Sequence, residues 1–366
     1  MNILVLTDIP SPYQVELFNA LARRESVNLQ VCYVRRSSPG RKWQQETIAH
    51  EAIYLRDIAG TQRVTEVLLS ADLVVFSHYR DRVVRRWMRM RHASGQPWCF
   101  WGERPGFEHD GLVGRWFRRL MLWPLYRSKV PIWGIGSWAV EGYARELGGE
   151  RRFYNVPYAS NLERFIRVSS TRESESPTGV RLLYSGSLSK RKGVDLLAAA
   201  FAHVSQRNAG SIKLEVVGDG PLRSSMEQVL QPVREQVTFH GFQPWHRLPA
   251  FYAAGDVLVA PSRYDGWGLI VPEGLAAGLP VVATHSMGAA IDLVEPETNG
   301  WIVPAGDLDA LIKALQSAVT SQDLSTMKDA AVASVQRHQL QDGVERFLEA
   351  AEGTVAYWQT AEGKTA

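Results

Sequence analysis

Short apolar runs that end in turn residues, each followed by helical spacing of apolar positions, recur along this chain. In the first half they are Ile3-Leu4-Val5-Leu6-Thr7, then a helical pattern from Val15 to Ala22, then Leu29-Gln30-Val31-Cys32-Tyr33-Val34, Leu73-Val74-Val75-Phe76-Ser77 and Trp98-Cys99-Phe100-Trp101-Gly102. Unbroken apolar runs suit strands buried on both faces, and strands alternating with helices predict parallel sheets covered on both sides. Past Arg167 the pattern lapses into the polar stretch Val168 to Gly179, which reads as an interdomain linker. A second series follows: Arg181-Leu182-Leu183-Tyr184-Ser185, Lys213-Leu214-Glu215-Val216-Val217, Val237-Thr238-Phe239, Val257-Leu258-Val259 and Val281-Val282-Ala283. The expected fold is α/β, with two doubly wound, Rossmann-like domains facing a central cleft and ligands outside the carboxyl ends of the strands. The expected boundaries are a Rossmann-like N-terminal domain over 1–167, a linker over 168–179 and a Rossmann-like C-terminal domain over 180–345. Residues 346–366 make a terminal helix and tail free to cross back to the first domain.

A length of 366 residues exceeds what one core serves, and 45% hydrophobic content excludes a disordered chain. Cys32 and Cys99 each sit in an apolar run, as packing residues rather than a bridge or metal site. The N-terminus lacks a basic leader and meets Asp8 and Pro10 early, and no apolar run reaches transmembrane length, so the expected location is the cytoplasm. The net charge of +3 hides an asymmetry: the first 165 residues carry 24 Lys+Arg against 16 Asp+Glu, the remainder 17 against 22. The first half is therefore the one to face an anionic surface.

The richest stretch for chemistry runs from Pro261 to Glu273. Asp265 follows the apolar run Asp256 to Ala260, Glu273 lies in the next helical segment, and the two carboxylates flank Gly266-Trp267-Gly268-Leu269. Glycines let a ligand approach the backbone, a helix start offers N–H groups to an anion, and carboxylates accept from vicinal hydroxyls. Phosphate plus diol is what a nucleotide sugar presents. Three earlier strand ends carry turns of the same kind: Gly186-Ser187 leading to Lys190-Arg191-Lys192-Gly193, Gly218-Asp219-Gly220-Pro221, and Phe239-His240-Gly241. Each alone is an ordinary solvated loop or tight turn; their succession ahead of the paired carboxylates points to a diphosphate and base site.

This ordered set resembles glycosyltransferase family 4, retaining enzymes of the GT-B fold, over nearly all of residues 180–310. The family's glycine-lysine-glycine element matches Gly186, Lys192 and Gly193, its GDGP turn Gly218 to Pro221, its FxG element Phe239 and Gly241, and its E-x7-E signature Asp265 and Glu273. The resemblance implies that Lys192 neutralises the diphosphate, Glu273 holds the ribose, and Asp265 with the backbone of Gly266, Trp267, Gly268 and Leu269 holds the donor sugar. Lys192, Asp265 and Glu273 are thus the expected catalytic set, with Gly186, Ser187, Arg191, Gly218, Gly220, Phe239 and Gly241 completing the donor side. Asp265 replaces the usual glutamate, shortening its reach by one methylene. Ser187 stands where many members have arginine, leaving that cation's role to Arg191 or Arg263.

In the first half, Leu4 to Gln14, Ile135-Gly136-Ser137 and Val156-Pro157-Tyr158 are similar to members that build bacterial surface polysaccharide or lipopolysaccharide. Two prolines, Pro10 and Pro12, replace the common glycine-rich first loop. Acceptor-side candidates are Asp8, Tyr13, His78 and Glu103, each of which could equally be a capping or salt-bridged residue. The expected reaction is transfer of a hexose-type sugar from a nucleotide sugar to a glycan or lipid-linked acceptor, with no cofactor and no metal, the nucleotide sugar being substrate. The alternatives are a nucleotide-sugar epimerase of the same shape and a non-catalytic sugar-nucleotide-binding subunit. Two basic, apolar segments, Arg82 to Arg91 and Arg115 to Lys129, suit peripheral contact with anionic lipid at the inner face of the membrane, and equally a core face with a solvated back. A nearly neutral chain with no nucleic-acid module argues against nucleic acid as partner.

Overall fold

The computed structural model describes residues 1–37, 47–105, 112–170, 179–207, 211–321 and 323–360. The chain divides into two compact units, 1–160 with 340–366, and 161–339.

In the first unit the elements are β1 (Asn2–Thr7), α1 (Pro12–Ala22), β2 (Asn28–Tyr33), β3 (Glu51–Tyr54), α2 (Gly60–Ser70), β4 (Leu73–Phe76), α3 (Arg82–Ala93), β5 (Trp98–Gly102), α4 (Leu112–Met121), α5 (Trp123–Arg127), β6 (Ile132–Gly134), α6 (Ser137–Leu147) and β7 (Phe153–Asn155). The strands form one parallel sheet in the order β3-β2-β1-β4-β5-β6-β7. β1, β4 and β5 are apolar and buried nearly end to end, as a sheet covered on both faces requires. Cys32 and Cys99 are free thiols inside this sheet, and burial pushes the Cys32 thiol up to about 12, so both serve as packing.

In the second unit come α7 (Glu163–Ser170), β8 (Val180–Ser185), α8 (Val194–Arg207), β9 (Ile212–Val217), α9 (Arg223–Val229), β10 (Val237–Gly241), α10 (Leu248–Ala254), β11 (Val257–Ala260), α11 (Ile270–Ala276), β12 (Val281–Thr284), α12 (Gly288–Leu293), β13 (Gly300–Val303), α13 (Leu308–Thr320) and α14 (Leu324–Ser334). These strands are parallel too, in the order β10-β9-β8-β11-β12-β13. One core under the sheet joins Leu182, Leu214, Val216 and Val259 to Leu197, Phe201 and Leu315. Asp307 caps α13 by accepting from the Ala310 N–H at 2.9 Å.

The last helix, α15 (Leu340–Gln359), belongs to the first unit. Its aromatic face holds it there: the Trp133 indole donates to Thr354 at 3.0 Å, Trp358 donates to the Trp98 carbonyl at 3.0 Å, and Phe347 meets Trp133 edge to face.

These boundaries differ from those expected. The expected first domain ran to 167, but α7 groups with the second unit, because its buried Phe165 packs against Tyr252 of α10, ring centroids 5.0 Å apart. Residues 168–170 of the expected linker are the last turn of α7, and 171–178 lie outside the described residues. The second unit stops at 339 rather than 345, since α15 begins at Leu340, and tail residues 361–366 are again outside the described set. Among the described residues no helix is long and apolar enough to cross a membrane.

Candidate active site

In a sheet ordered β10-β9-β8-β11-β12-β13 the chain leaves β8 and β11 toward opposite sides, opening a crevice at their carboxyl ends. Gly186 to Gly193 follow β8 and Pro261 to Glu273 follow β11, so both major sequence elements emerge at that switch point.

The glycine turns are stitched to one another. Gly186 N–H donates to the Val217 carbonyl at 2.9 Å, Gly218 N–H to Gly241 at 2.8 Å, Leu188 N–H to Asp219 at 3.0 Å and Leu222 N–H to Leu188 at 2.9 Å. A Cβ on Gly218, whose φ is +139°, would lie 1.8 Å from the Gly186 carbonyl oxygen, and one on Gly220 2.6 Å from that of Leu188. Gly218 and Gly220 are thus required where two backbones touch. Their joint effect is to hold the ends of β8, β9 and β10 together as one surface.

Lys190–Lys192 form a single 3₁₀ turn that closes on Gly193 in the left-handed conformation, and α8 starts immediately after. That turn lies on the β11 loop: Arg263 N–H donates to the Arg191 carbonyl at 2.8 Å. Lys192 Nζ donates to Asp265 Oδ2, and Arg191 Nη1 stands 3.7 Å from Oδ1 of the same carboxylate while donating to the Tyr264 carbonyl at 3.0 Å. Arg263, one of two residues considered for the missing arginine, is held elsewhere. Its guanidinium donates to the Lys190 carbonyl at 2.7 Å and clasps Asp195 at 2.6 and 2.8 Å. Burial would raise the Asp195 carboxyl, but the Arg263 bonds outweigh it and hold the group below its usual range.

Asp265 N–H donates to the Ser286 carbonyl at 2.9 Å, and Ala289 N–H to the Trp267 carbonyl at 2.8 Å, which pins the Asp265-Gly266-Trp267 turn to the β12–α12 connection. Trp267 itself is buried, and Gly268 has φ +89°. Glu273 lies in α11, nearly covered, and accepts from the Tyr252 hydroxyl at 3.1 Å on Oε2. Burial, with the Glu273 charge added, raises the Tyr252 phenol far above its ordinary range, so it stays a donor.

Tyr252 carried no motif and was missed in the sequence; only its place in an apolar helix was readable. Arg223 was missed too. It opens α9 directly after the Gly218–Pro221 turn, with its guanidinium carbon 5.4 Å from the centre of the Phe239 ring and Nη1 beside Gly241. Ser187 contributes its carbonyl, which accepts from the Tyr184 hydroxyl at 2.8 Å.

The first sheet repeats the geometry. β1 pairs with β4 at its own switch point, so Asp8 and His78 leave adjacent strand ends, His78 Nδ1 lying 3.8 Å from Asp8 Oδ1. Arg35 binds Asp8 through Nε at 2.9 Å and through Nη2. The Asp81 N–H donates to His78 Nε2 at 3.3 Å, which places the ring proton on Nδ1, toward Asp8. Burial lowers the His78 pKa despite the two nearby carboxylates. Buried Gln14 donates to Thr7 at 3.2 Å and accepts from Ser11 at 2.9 Å, fixing the Pro10–Pro12 turn without glycines. Tyr13 packs on Tyr158 at 4.7 Å, and Glu103 follows β5 at an exposed position.

Residues 179–321 match the family of glycosyl transferases group 1. An uncharacterized glycosyltransferase of Methanocaldococcus jannaschii is 34% identical over 34% of this chain and 32% of its own length. The chain spans about a third of the length of the first curated relatives it matches. The lipopolysaccharide core biosynthesis glycosyltransferase LpsE of Rhizobium meliloti is 26% identical over 85% of this chain and 86% of its own. Among solved structures, Anabaena HepE in complex with UDP superimposes with a TM-score of 0.75 at 17% identity, covering 96% of this chain and all of that one. The fold is GT-B. The match to the glycosyl transferases group 1 family lies wholly within the second unit, which spans 161–339.

Proposed function

We propose that this protein is a retaining glycosyltransferase that moves a hexose-type sugar from a nucleotide-sugar donor to a glycan or lipid-linked acceptor in building a cell-surface polysaccharide or lipopolysaccharide. The observation that carries the reading is the Lys192–Asp265 contact at the β8/β11 switch point, within the group 1 match and beside three interlocked glycine turns. In this reading Lys192, with Arg191 beside it, faces the diphosphate, and Ser187 leaves the room that an arginine would fill. Glu273, held by Tyr252, receives the ribose hydroxyls, and Arg223 over Phe239 borders the base. Asp265 and the backbone of Gly266 to Leu269 take the sugar.

Chemically, the bond from the anomeric carbon to the phosphate oxygen breaks and its electron pair leaves with the nucleoside diphosphate. The acceptor oxygen bonds to the same face of the sugar, and its proton passes to the departing phosphate. Lys192 and Arg191 stabilise the charge that develops there, and no metal or cofactor takes part. In this reading Asp265 serves to hold the sugar rather than to attack it, and no covalent glycosyl-enzyme forms. Acceptor binding falls to Asp8, Tyr13, His78 and Glu103, in a cytoplasmic protein working at the membrane surface.

The test is a thermal-shift screen of UDP-, GDP- and ADP-sugars followed by calorimetry on the ligand that stabilises. Glu273→Ala is expected to abolish donor binding while the protein stays folded, and turnover of wild type with an acceptor is expected to survive EDTA. Unchanged affinity removes Glu273 from the site, and conversion of the sugar nucleotide without acceptor or released diphosphate replaces the transferase reading with an epimerase.

A further inference from the structure

The two basic segments that look alike in sequence differ in the fold. α3 is a conventional covering helix: Val84, Trp87 and Met88 are buried, and so is Arg91. The Arg91 guanidinium donates to the carbonyls of Leu68 at 2.7 Å, Ala71 at 2.6 Å and Pro97 at 3.1 Å, making that residue structural. The apolar face of Arg82–Arg91 and its last arginine are thus used inside the fold, as in the core-face alternative for that segment.

α4 is inverted. Gly114, Arg118 and Leu122, four apart, face inward. Arg118 makes a two-pronged bond to Glu146 of α6, 2.9 Å on each arm, and Tyr126 donates to the same carboxylate. The outward stripe is apolar: Val113 is 82% exposed, Trp116 67%, Phe117 48% and Leu120 54%, at helical spacing, with Trp123 of α5 continuing it at 38%. Exposed Arg115, Arg119 and Arg127 border the stripe, and no Asp or Glu occurs from residue 111 to residue 140. Single exposed apolar residues are ordinary, whereas five in one stripe mark a contact surface.

We propose that the exposed face of α4, with Trp123, docks on an anionic phospholipid leaflet. Two tryptophans, a phenylalanine and a leucine supply side chains that enter the headgroup boundary, and arginines flanking them supply attraction to negative lipid. The inward turn of Arg118 onto Glu146 makes this possible, because it puts the helix's polar anchor inside and frees the apolar face. Charge decides against a second copy of this chain as occupant: a twofold contact would set Arg115 and Arg119 against their own images with no facing carboxylate within residues 111–140.

Co-sedimentation of the full chain with vesicles of phosphatidylglycerol and phosphatidylcholine, against pure phosphatidylcholine, tests this without reference to sugar transfer. A failed donor site would leave the result unchanged. Partitioning is expected on the anionic vesicles and to weaken as salt rises. The pair Arg115→Glu and Arg119→Glu should lower the partition coefficient by at least about 25-fold, on roughly fivefold per charge removed. The set Trp116→Ser, Phe117→Ser and Leu120→Ser should lower it similarly and leave thermal stability intact, since these side chains are in solvent. Binding equal in wild type and both variants overturns the assignment. So does an absence of anionic-vesicle binding, or a wild-type dimer by light scattering that the serine variant converts to monomer.

Discussion

Replacing Gly193 by alanine probes the joint between the two loops that carry Lys192 and Asp265, the proposed donor site. The residue has φ +71°, a conformation that costs an L-residue about 1–2 kcal/mol. The added Cβ would also sit 1.9 Å from the Pro261 carbonyl oxygen, well inside any real contact. That oxygen is backbone at the end of β11 and cannot rotate away, so the Lys190–Lys192 turn and the Pro261–Arg263 segment must part. Repacking of that kind adds about 1–3 kcal/mol. The combined loss of about 2–5 kcal/mol lowers Tm by roughly 10 °C at 2–4 °C per kcal/mol. Gly306 supplies the control: its φ is +85° with nothing within 4 Å of an added Cβ, so Gly306→Ala pays only the conformational part. Gly149, with neither constraint, should tolerate alanine without loss. Urea unfolding of the three variants gives the ranking, and calorimetry below the Tm of Gly193→Ala should show donor affinity down more than tenfold because Lys192 has moved. If Gly193→Ala is no less stable than Gly306→Ala, the close approach of the two loops is wrong.

Tyr252→Phe removes one hydrogen bond to Glu273 and no packing; donor KM should rise about tenfold with kcat nearly unchanged, as for a hydrogen bond to a charged group, and an unmoved KM would strip Tyr252 of a positioning role. His50 is buried between Tyr33, 2.9 Å away, and Asn19, 2.7 Å away, and burial lowers its pKa to about 4. Because the unfolded chain binds that proton near pH 6.5, the stabilisation is complete above that pH and is lost as pH falls toward 4, on the order of 3 kcal/mol in all. His50→Gln should flatten that limb of the stability curve measured by urea unfolding, and an unchanged limb would assign the acid loss elsewhere.

The second unit was open to reading in the chain because its strands are apolar and its turns carry glycines at points where no other residue fits. Gly193 and Gly218 meet another backbone, so chemistry and geometry demand the same residue and leave the same mark. The short strands of the first sheet were harder: β6 and β7 have three residues each, too few to show a period. Tyr252 reads as one more core aromatic, since what distinguishes it is a hydroxyl aimed at a carboxylate 21 positions away. α4 shows the deepest ambiguity. Its stripe of Trp116, Phe117 and Leu120 has the spacing of a core face, and only the partner of Arg118 reveals which side is inside.

Lys192 in the resting protein is accompanied by Asp265, so it carries its own counter-ion. On the proposed donor reading, an arriving diphosphate exchanges one anion for another instead of filling a bare positive site, and its affinity should depend on ionic strength less steeply than a count of cations suggests. The exchange also sets an order of events. On that reading the Asp265 carboxylate is closed to hydroxyls while the lysine holds it and is released to meet the sugar once phosphate takes the lysine, so phosphate would be recognised first and the sugar checked second.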